Sequence, residues 1–242
     1  MVTAERFIQF LESRPLGVSF STADADFIKS SHIIHKHYAP GAALVEEGYA
    51  HNTVAIIISG WAVCSKALEN GSQLVVDFGL RGDIASCGSL IGRPDCTVTA
   101  VTDVDTFEIP LRELVSINRH TTALSNVLLR GVLRRYGIAI EHQANLGRRG
   151  AVERTVHLLL ELAHRTYPDD ARNVFHCPLT QIELSDALGL SAVHVNRVLR
   201  ELREAGLASF RHGLVEFHDR KQMVELAHFS SDYLKFGTES AG

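Results

Sequence analysis

The stretch LTQIELSDALGLSAVHVNRVLRELREAGL, residues 179–207, decides how this chain is read. Thr180 followed three residues later by Glu183 is a capping box, which opens a helix. Gly189 closes that short helix, and Ser191 stands where it caps the next one. Val195, Val198, Leu199 and Leu202 then recur at helical spacing before Gly206, which gives the second helix a buried stripe. Two helices joined by a tight glycine turn predict a helix-turn-helix.

On the second helix Ala192, Val193, Asn196, Arg197 and Arg200 fall opposite that stripe, where side chains reach base edges if the helix enters a major groove. The Arg197 guanidinium can give two parallel hydrogen bonds to a guanine, and Asn196 can do the same to an adenine. Thr180 and Gln181 offer hydroxyl, amide and backbone donors to a phosphate. With Ser191 and His194 beside them, the predicted DNA contacts are Thr180, Gln181, Ser191, Val193, His194, Asn196, Arg197 and Arg200. After Gly206, residues Leu207 to Phe217 alternate around His212-Gly213, the pattern of a β-hairpin wing. The whole chain has 24 basic against 28 acidic side chains, a formal net charge of −4. Residues 150–242 have 10 against 13, a net of −3. Positive charge must therefore be concentrated on Arg197, Arg200, Arg203 and Arg211. Without that concentration the same pattern is a packed helix pair with solvated arginines.

Working toward the N-terminus, Pro168-Asp169-Asp170 interrupts the chain, Ala151 to Tyr167 reads as an amphipathic helix, and Gly147-Arg148-Arg149-Gly150 reads as a hinge. Leu111 to Leu146 contains no proline and repeats apolar residues at helical spacing, which predicts a long helix with a break near Asn118. Within it Leu129, Val132, Tyr136, Ala139, Gln143 and Leu146 alternate steps of three and four, the seam of a two-stranded coiled coil. A homodimer is expected; the alternative is a helix packed on its own barrel. From Ser31 to Ile109 the chain changes to short β-rich runs, Thr53 to Ile58, Trp61 to Lys66, Gln73 to Phe78 and Thr97 to Thr102. Turn signals separate them at Pro40-Gly41, Glu47-Gly48, Ser59-Gly60, Asn70-Gly71 and Arg81-Gly82-Asp83. The expected fold is α+β: an N-terminal antiparallel β-roll of jelly-roll type over residues 1–110, a dimerisation helix over 111–148 and a winged helix-turn-helix over 149–242.

Composition sets the outer limits. A chain of 242 residues that is 45% hydrophobic buries a real core and is not a disordered tail. No apolar run approaches the roughly 20 residues of a membrane helix, and MVTAERFIQFLESRPLG lacks the apolar region and cleavage site of a signal peptide. Cys64, Cys87, Cys96 and Cys177 contain no CxxC pair, which argues against a zinc ribbon and a disulfide framework. A soluble, reduced, cytoplasmic protein with no cofactor and no membrane partner is expected.

Residues 179–207 resemble the helix-turn-helix of the Crp/Fnr superfamily of bacterial transcription regulators, and the resemblance covers nearly the whole chain. GAALVEEG (41–48), ENG (69–71) and RGD (81–83) resemble the glycine-bearing turns of that family's cyclic-nucleotide-binding β-roll. The resemblance implies a homodimer on a pseudo-palindromic site and a signal in the β-roll that reorients the DNA-binding domains; for an activator it also implies RNA polymerase as a partner. It makes Thr180 and Gln181 phosphate contacts and Arg197 a base-reading arginine. Ala192 and Val193 depart from the arginine and glutamate of the cyclic-AMP receptor protein, so the operator should differ, with Val193, His194 and Asn196 supplying the replacement readout.

The sensor departs further. The resemblance puts an effector pocket at Gly82, Asp83, Ser89, Leu90, Arg93, Cys96, Thr97 and Ala139. A cyclic-nucleotide pocket of that family carries Gly-Glu-Leu and then Arg-Ser or Arg-Thr. Here Ser89 replaces the glutamate and Pro94-Asp95 replace Arg-Ser, while Ala139 cannot hydrogen-bond an adenine. Asp95 would oppose a phosphate by like charge, so the effector is expected not to be cyclic AMP. The oxygen-sensing branch holds an iron-sulfur cluster on cysteines near its N-terminus, and this chain has none before Cys64.

Other constellations give the alternatives. His32, His35 and His37 lie close together, with His35 and His37 on one strand face, a pattern that suits either a metal or a solvated edge; no metal site is expected. The cupin enzymes need a glutamate nearer such histidines than Glu46 or Glu47, so no catalysis is expected. Cys87 and Cys96 suit a redox pair or buried small hydrophobes, and oxidation of Cys177 would disturb the helix-turn-helix. Trp61 reads as core. A redox- or metal-responsive regulator of the same fold, or a ligand-binding β-roll that docks a protein partner, are the competing readings.

Overall fold

The structure, a computed structural model, describes residues 2–13, 19–85, 92–168 and 172–235. Cys87, Ser89 and Leu90, and Asp169 and Asp170 of the expected interruption, lie outside them, as does the side chain of Asn118. The described chain is α+β, with antiparallel sheets followed by a long helix and a helical C-terminal part. It divides into two compact units: Met1–Lys66 with Phe78–Tyr136, and Ala67–Asp77 with Gly137–Leu234. These boundaries differ from the expected divisions after residues 110 and 148, because the long helix contributes to both units and residues 67–77 go with the second.

In the first unit, helices α1 (Val2–Glu12) and α2 (Thr22–Ser30) precede the strands β1 (Ile34–Tyr38), β2 (Ala43–Val45), β3 (Thr53–Ser59) and β4 (Ala62–Ala67). β5 (Gln73–Gly79) runs across the division between the units, and β6 (Thr97–Ala100) and β7 (Val104–Pro110) belong to the first. One sheet has the order β1-β7-β3 and the other β2-β6-β4-β5, all antiparallel where the register is defined. The four expected strands are present within one or two residues of their expected ends, and Trp61 is buried as core. Neither α1 nor α2 was expected. Ser21 and Asp24 form a capping box at the start of α2, a readable signal.

These helices explain the burial of β3, whose central residues are buried on both faces. Val54 and Ile56 join Phe7, Phe10, Ile28, Phe107 and Leu114 in one helix-covered core, while the Ile57 side chain meets Gly79 on the other side. Phe7 and Phe107 meet edge to face at 5.4 Å. A strand covered on both faces reads as a continuous apolar run, so periodicity alone did not reveal the covering helices.

The expected single helix from Leu111 is two, α3 (Leu111–His120) and α4 (Ala123–Arg148). Thr121, extended at φ −139° and ψ 135°, makes the break, and its hydroxyl accepts a hydrogen bond from Ala123 N at 3.2 Å. Along α4, Leu129, Val132, Tyr136, Ala139, Gln143 and Leu146 are all exposed, and so are Leu133 and Ile140 on the same face. Leu146, at the end of the stripe, also borders Gly189.

The second unit contains the end of α4, α5 (Ala151–Thr166), β8 (Val174–His176), α6 (Gln181–Leu188), α7 (Ala192–Glu204), β9 (Ala208–Arg211), β10 (Leu214–Phe217) and α8 (Arg220–Ala227). The expected hinge is a tied corner: Arg149 donates to Glu141 and Asn145 of α4 at 3.1 and 2.6 Å, and Gly150 N donates to Glu153 at 2.8 Å. α5 is buried nearly throughout, including Glu161 and Arg165, because α4, β5 and the C-terminal helices surround it. Among the described residues no helix is long and apolar enough to cross a membrane.

Candidate nucleic-acid interface

Local chemistry builds the helix pair α6–α7. Thr180 accepts from Glu183 N at 3.2 Å while the Glu183 carboxylate accepts from Thr180 N at 2.6 Å, so the capping box is closed. Gly189 ends α6 in the left-handed conformation (φ 58°, ψ 41°), which glycine adopts without Cβ strain, and Leu190 N returns to Ser185 O at 3.0 Å. Ser191 caps α7 by accepting from His194 N at 3.2 Å. Replacing the Thr180 or Ser191 cap by alanine costs about 1 kcal/mol, so these residues fix where α6 and α7 begin.

Packing then selects the exposed face. Val195, Val198 and Leu202 are buried, Leu199 is half-buried, and Val193, Asn196, Arg197 and Arg200 are exposed opposite them. Val193 is 80% exposed on the same face as Asn196, Arg197 and Arg200. Asn196 donates to the Gln181 amide oxygen at 2.7 Å, which joins the recognition face of α7 to the first turn of α6. Arg197 Nη2 lies 2.8 Å from His194 Nε2, and since a guanidinium only donates, this contact holds it along the helix. Thr180, Gln181 and Ser191 are exposed at the same end and His194 is half-buried, so all eight expected DNA-contacting residues lie on the α6–α7 pair.

The wing forms as expected, β8-β10-β9, with Arg211 opposite Leu214 and a two-residue turn in which His212 and Gly213 both have positive φ, 51° and 74°. Arg211 and His212 are exposed on it. Ile182, 67% exposed on α6 beside Gln181, was not singled out. Its exposure breaks the apolar pattern of α6, but only the fold distinguishes that from a core position.

The expected effector residues that are described have their own partners and exposures. Asp83 is buried, accepts from Leu80 N at 2.8 Å and pairs with Arg134 at 3.1 Å. Thr97 accepts from Glu47 N at 3.1 Å, and the Glu47 carboxylate is hydrogen-bonded to Lys66, whose pKa it raises. Gly82 and Cys96 are half-buried, Arg93 is exposed, and Ala139 sits on the exposed stripe of α4. His35 and His37 face Asp105 at 3.5 and 3.3 Å, and His37 also faces Asp103 at 3.3 Å. Among the described residues no group of three or more His, Cys, Asp or Glu is placed to hold a metal. Cys177 is fully buried, and burial pushes its thiol up to about 12, so at neutral pH it is protonated and shielded.

Residues 153–226 match the model of the Crp-like helix-turn-helix domain, and residues 35–120 match that of the cyclic nucleotide-binding domain. The chain belongs to the Crp/Fnr superfamily of transcription regulators. This Crp/Fnr chain is 27% identical to the transcriptional activator protein FnrL of Cereibacter sphaeroides over 211 residues, 82% of each chain. It is 23% identical to the nitrogen fixation regulation protein FixK of Bradyrhizobium diazoefficiens over 192 residues, 79% of this chain and 81% of that one. In fold it is similar to FixK2 from Bradyrhizobium japonicum, with a TM-score of 0.73 and 21% identity, covering 81% of this chain and 97% of the other.

Proposed function

We propose that this Crp/Fnr chain is a sequence-specific DNA-binding regulator that acts as a homodimer on an inverted repeat. The observation that carries the reading is the exposed face of α7, where Val193, Asn196, Arg197 and Arg200 stand clear of the buried stripe. Arg197 reads a base, Asn196 and Val193 read its neighbours, and the capped first turn of α6 sits on phosphate. The exposed stripe of α4 supplies the dimer seam, which spaces two recognition helices about one helical turn of DNA apart. Activation, with RNA polymerase as partner, is the mode proposed, since the relative FnrL is named a transcriptional activator.

The effector, in this reading, is not cyclic AMP. Arg134 faces the pocket residue Asp83, and Lys66 faces Glu47, whose backbone N–H is held by Thr97, so a phosphate recruiting either cation would displace an existing charge pair.

Arg197→Ala tests the base-reading role. It is expected to cost about 1 to 3 kcal/mol at one base-pair position while leaving random-sequence binding nearly unchanged. Titration of specific and scrambled duplexes checks it; equal loss on both would remove Arg197 from the readout.

A further inference from the structure

We propose that a cleft between α1 and the β1-β7-β3 sheet binds a small organic anion with a flat aromatic body, of the class of one- or two-ring aromatic carboxylates. The cleft has a volume of about 340 Å³, at the small end of ligand sites. Its floor is aromatic: Phe10 and Phe107 are buried, with ring centroids 5.9 Å apart at 61°. Arg81 lies across that floor, its Cζ 4.8 Å from the Phe10 centroid and its Nη1 donating to Ile58 O at 2.9 Å. The backbone bond and the ring together hold the guanidinium plane in place. Arg6 lies one turn before Phe10 on α1 and adds a second, exposed guanidinium to the same lining.

Charge selects the ligand class. In a chain whose acids outnumber its bases 28 to 24, two arginines and no carboxylate line this cleft among the described residues. Asp105, two residues before Phe107 on the same strand face, lies 3.5 Å from His35 Nε2 on the cleft wall and is paired there, without lining the cleft itself. Glu5 and Glu12 of α1 are not among the lining residues. A flat apolar body on Phe10 and Phe107, with its carboxylate between Arg6 and Arg81, meets both halves of this lining. Among the described residues none of the expected effector set lines this cleft, although Arg81 directly precedes Gly82.

Any effect of this ligand on transcription rests on the DNA-binding reading; occupancy of the cleft does not, and its test contains no DNA. Naphthalene-2-carboxylate is titrated into the full chain by calorimetry, against the neutral naphthalene-2-carboxamide and inorganic phosphate. Saturable binding of the carboxylate is expected, at least tenfold tighter than the amide or phosphate, and Arg6→Gln and Arg81→Gln should each weaken it about tenfold. Arg6 has an exposed side chain, so its substitution leaves the fold intact even if Arg81→Gln loosens the turn it anchors. Equal binding of acid and amide, no saturable binding, or unchanged affinity in the Arg6→Gln protein would overturn the proposal.

Discussion

Tyr136→Asp is expected to convert a dimer into a monomer and to abolish specific DNA binding. Tyr136 is 66% exposed in the single chain, at the centre of a stripe that includes Leu129, Val132, Leu133 and Ile140. A run of large apolar residues that width, on one face of a 26-residue helix, is an interface in waiting. In a two-fold pair each residue near the axis meets its own copy, so one substitution sets two carboxylates against each other in a desolvated seam. The folded monomer should be unaffected, because the native side chain makes little contact within it. Loss of the linked second half-site removes roughly a hundredfold to ten-thousandfold in affinity without touching a base contact. Sedimentation measures the first effect and duplex titration the second; a variant that remains dimeric would place the seam elsewhere.

Glu161→Gln is expected to destabilise the second unit by about 3 to 5 kcal/mol, a large part of the 5 to 15 kcal/mol typical of a domain. The Glu161 side chain is fully buried and accepts from Arg165 at 3.1 Å, His142 at 3.2 Å and Tyr233 at 2.8 Å. Arg165 also donates to Asp77 at 2.9 Å. His142 faces the Val76 carbonyl with Nδ1 and the Glu161 carboxylate with Nε2, both at 3.2 Å, so both ring nitrogens must carry protons. Two cations and two carboxylates thus balance, and neutralising Glu161 leaves a buried positive charge.

The pH dependence follows from Glu161 and His142. Burial works against each charged form, yet His142 and Arg165 hold Glu161 below the carboxylate range, and Glu161 holds His142 above its ordinary 6.5. The Glu161 contribution is present above the unfolded carboxylate pKa and fades as pH falls through the lowered value. The His142 contribution is complete below 6.5 and fades as pH rises through its raised value. Glu161→Gln should therefore lower stability at neutral pH and flatten its decline on the alkaline side. Denaturant titrations at several pH values measure both, and a loss under about 1 kcal/mol would show that the network is not balanced as described.

What was legible in the sequence was local. Thr180, Glu183, Gly189 and Ser191 each act within three or four residues, and the helix-turn-helix forms as they predict. Strands bounded by glycine turns were readable for the same reason. Glu161 and Arg165 were not, because their spacing of four is also that of an exposed helical pair; their partners Asp77 and His142 are 84 and 19 positions from Glu161 in the chain. Steps of three and four pick out Leu129, Val132, Tyr136, Ala139, Gln143 and Leu146 but pass over Leu133 and Ile140, which are exposed on the same face. The cleft at Arg6 and Arg81 depends on α1 lying on the sheet, which no period in either segment announces.

Selection of bound duplexes from a random pool by the purified chain, without added ligand and at one stated salt concentration, tests the central claim most directly, since the electrostatic part of binding changes with salt. The account predicts an enriched inverted repeat with half-sites about one helical turn apart, lost in the Arg197→Ala and Tyr136→Asp proteins. Binding without any enriched sequence, or no binding with and without naphthalene-2-carboxylate, would contradict it and favour a helical tail that docks a protein partner.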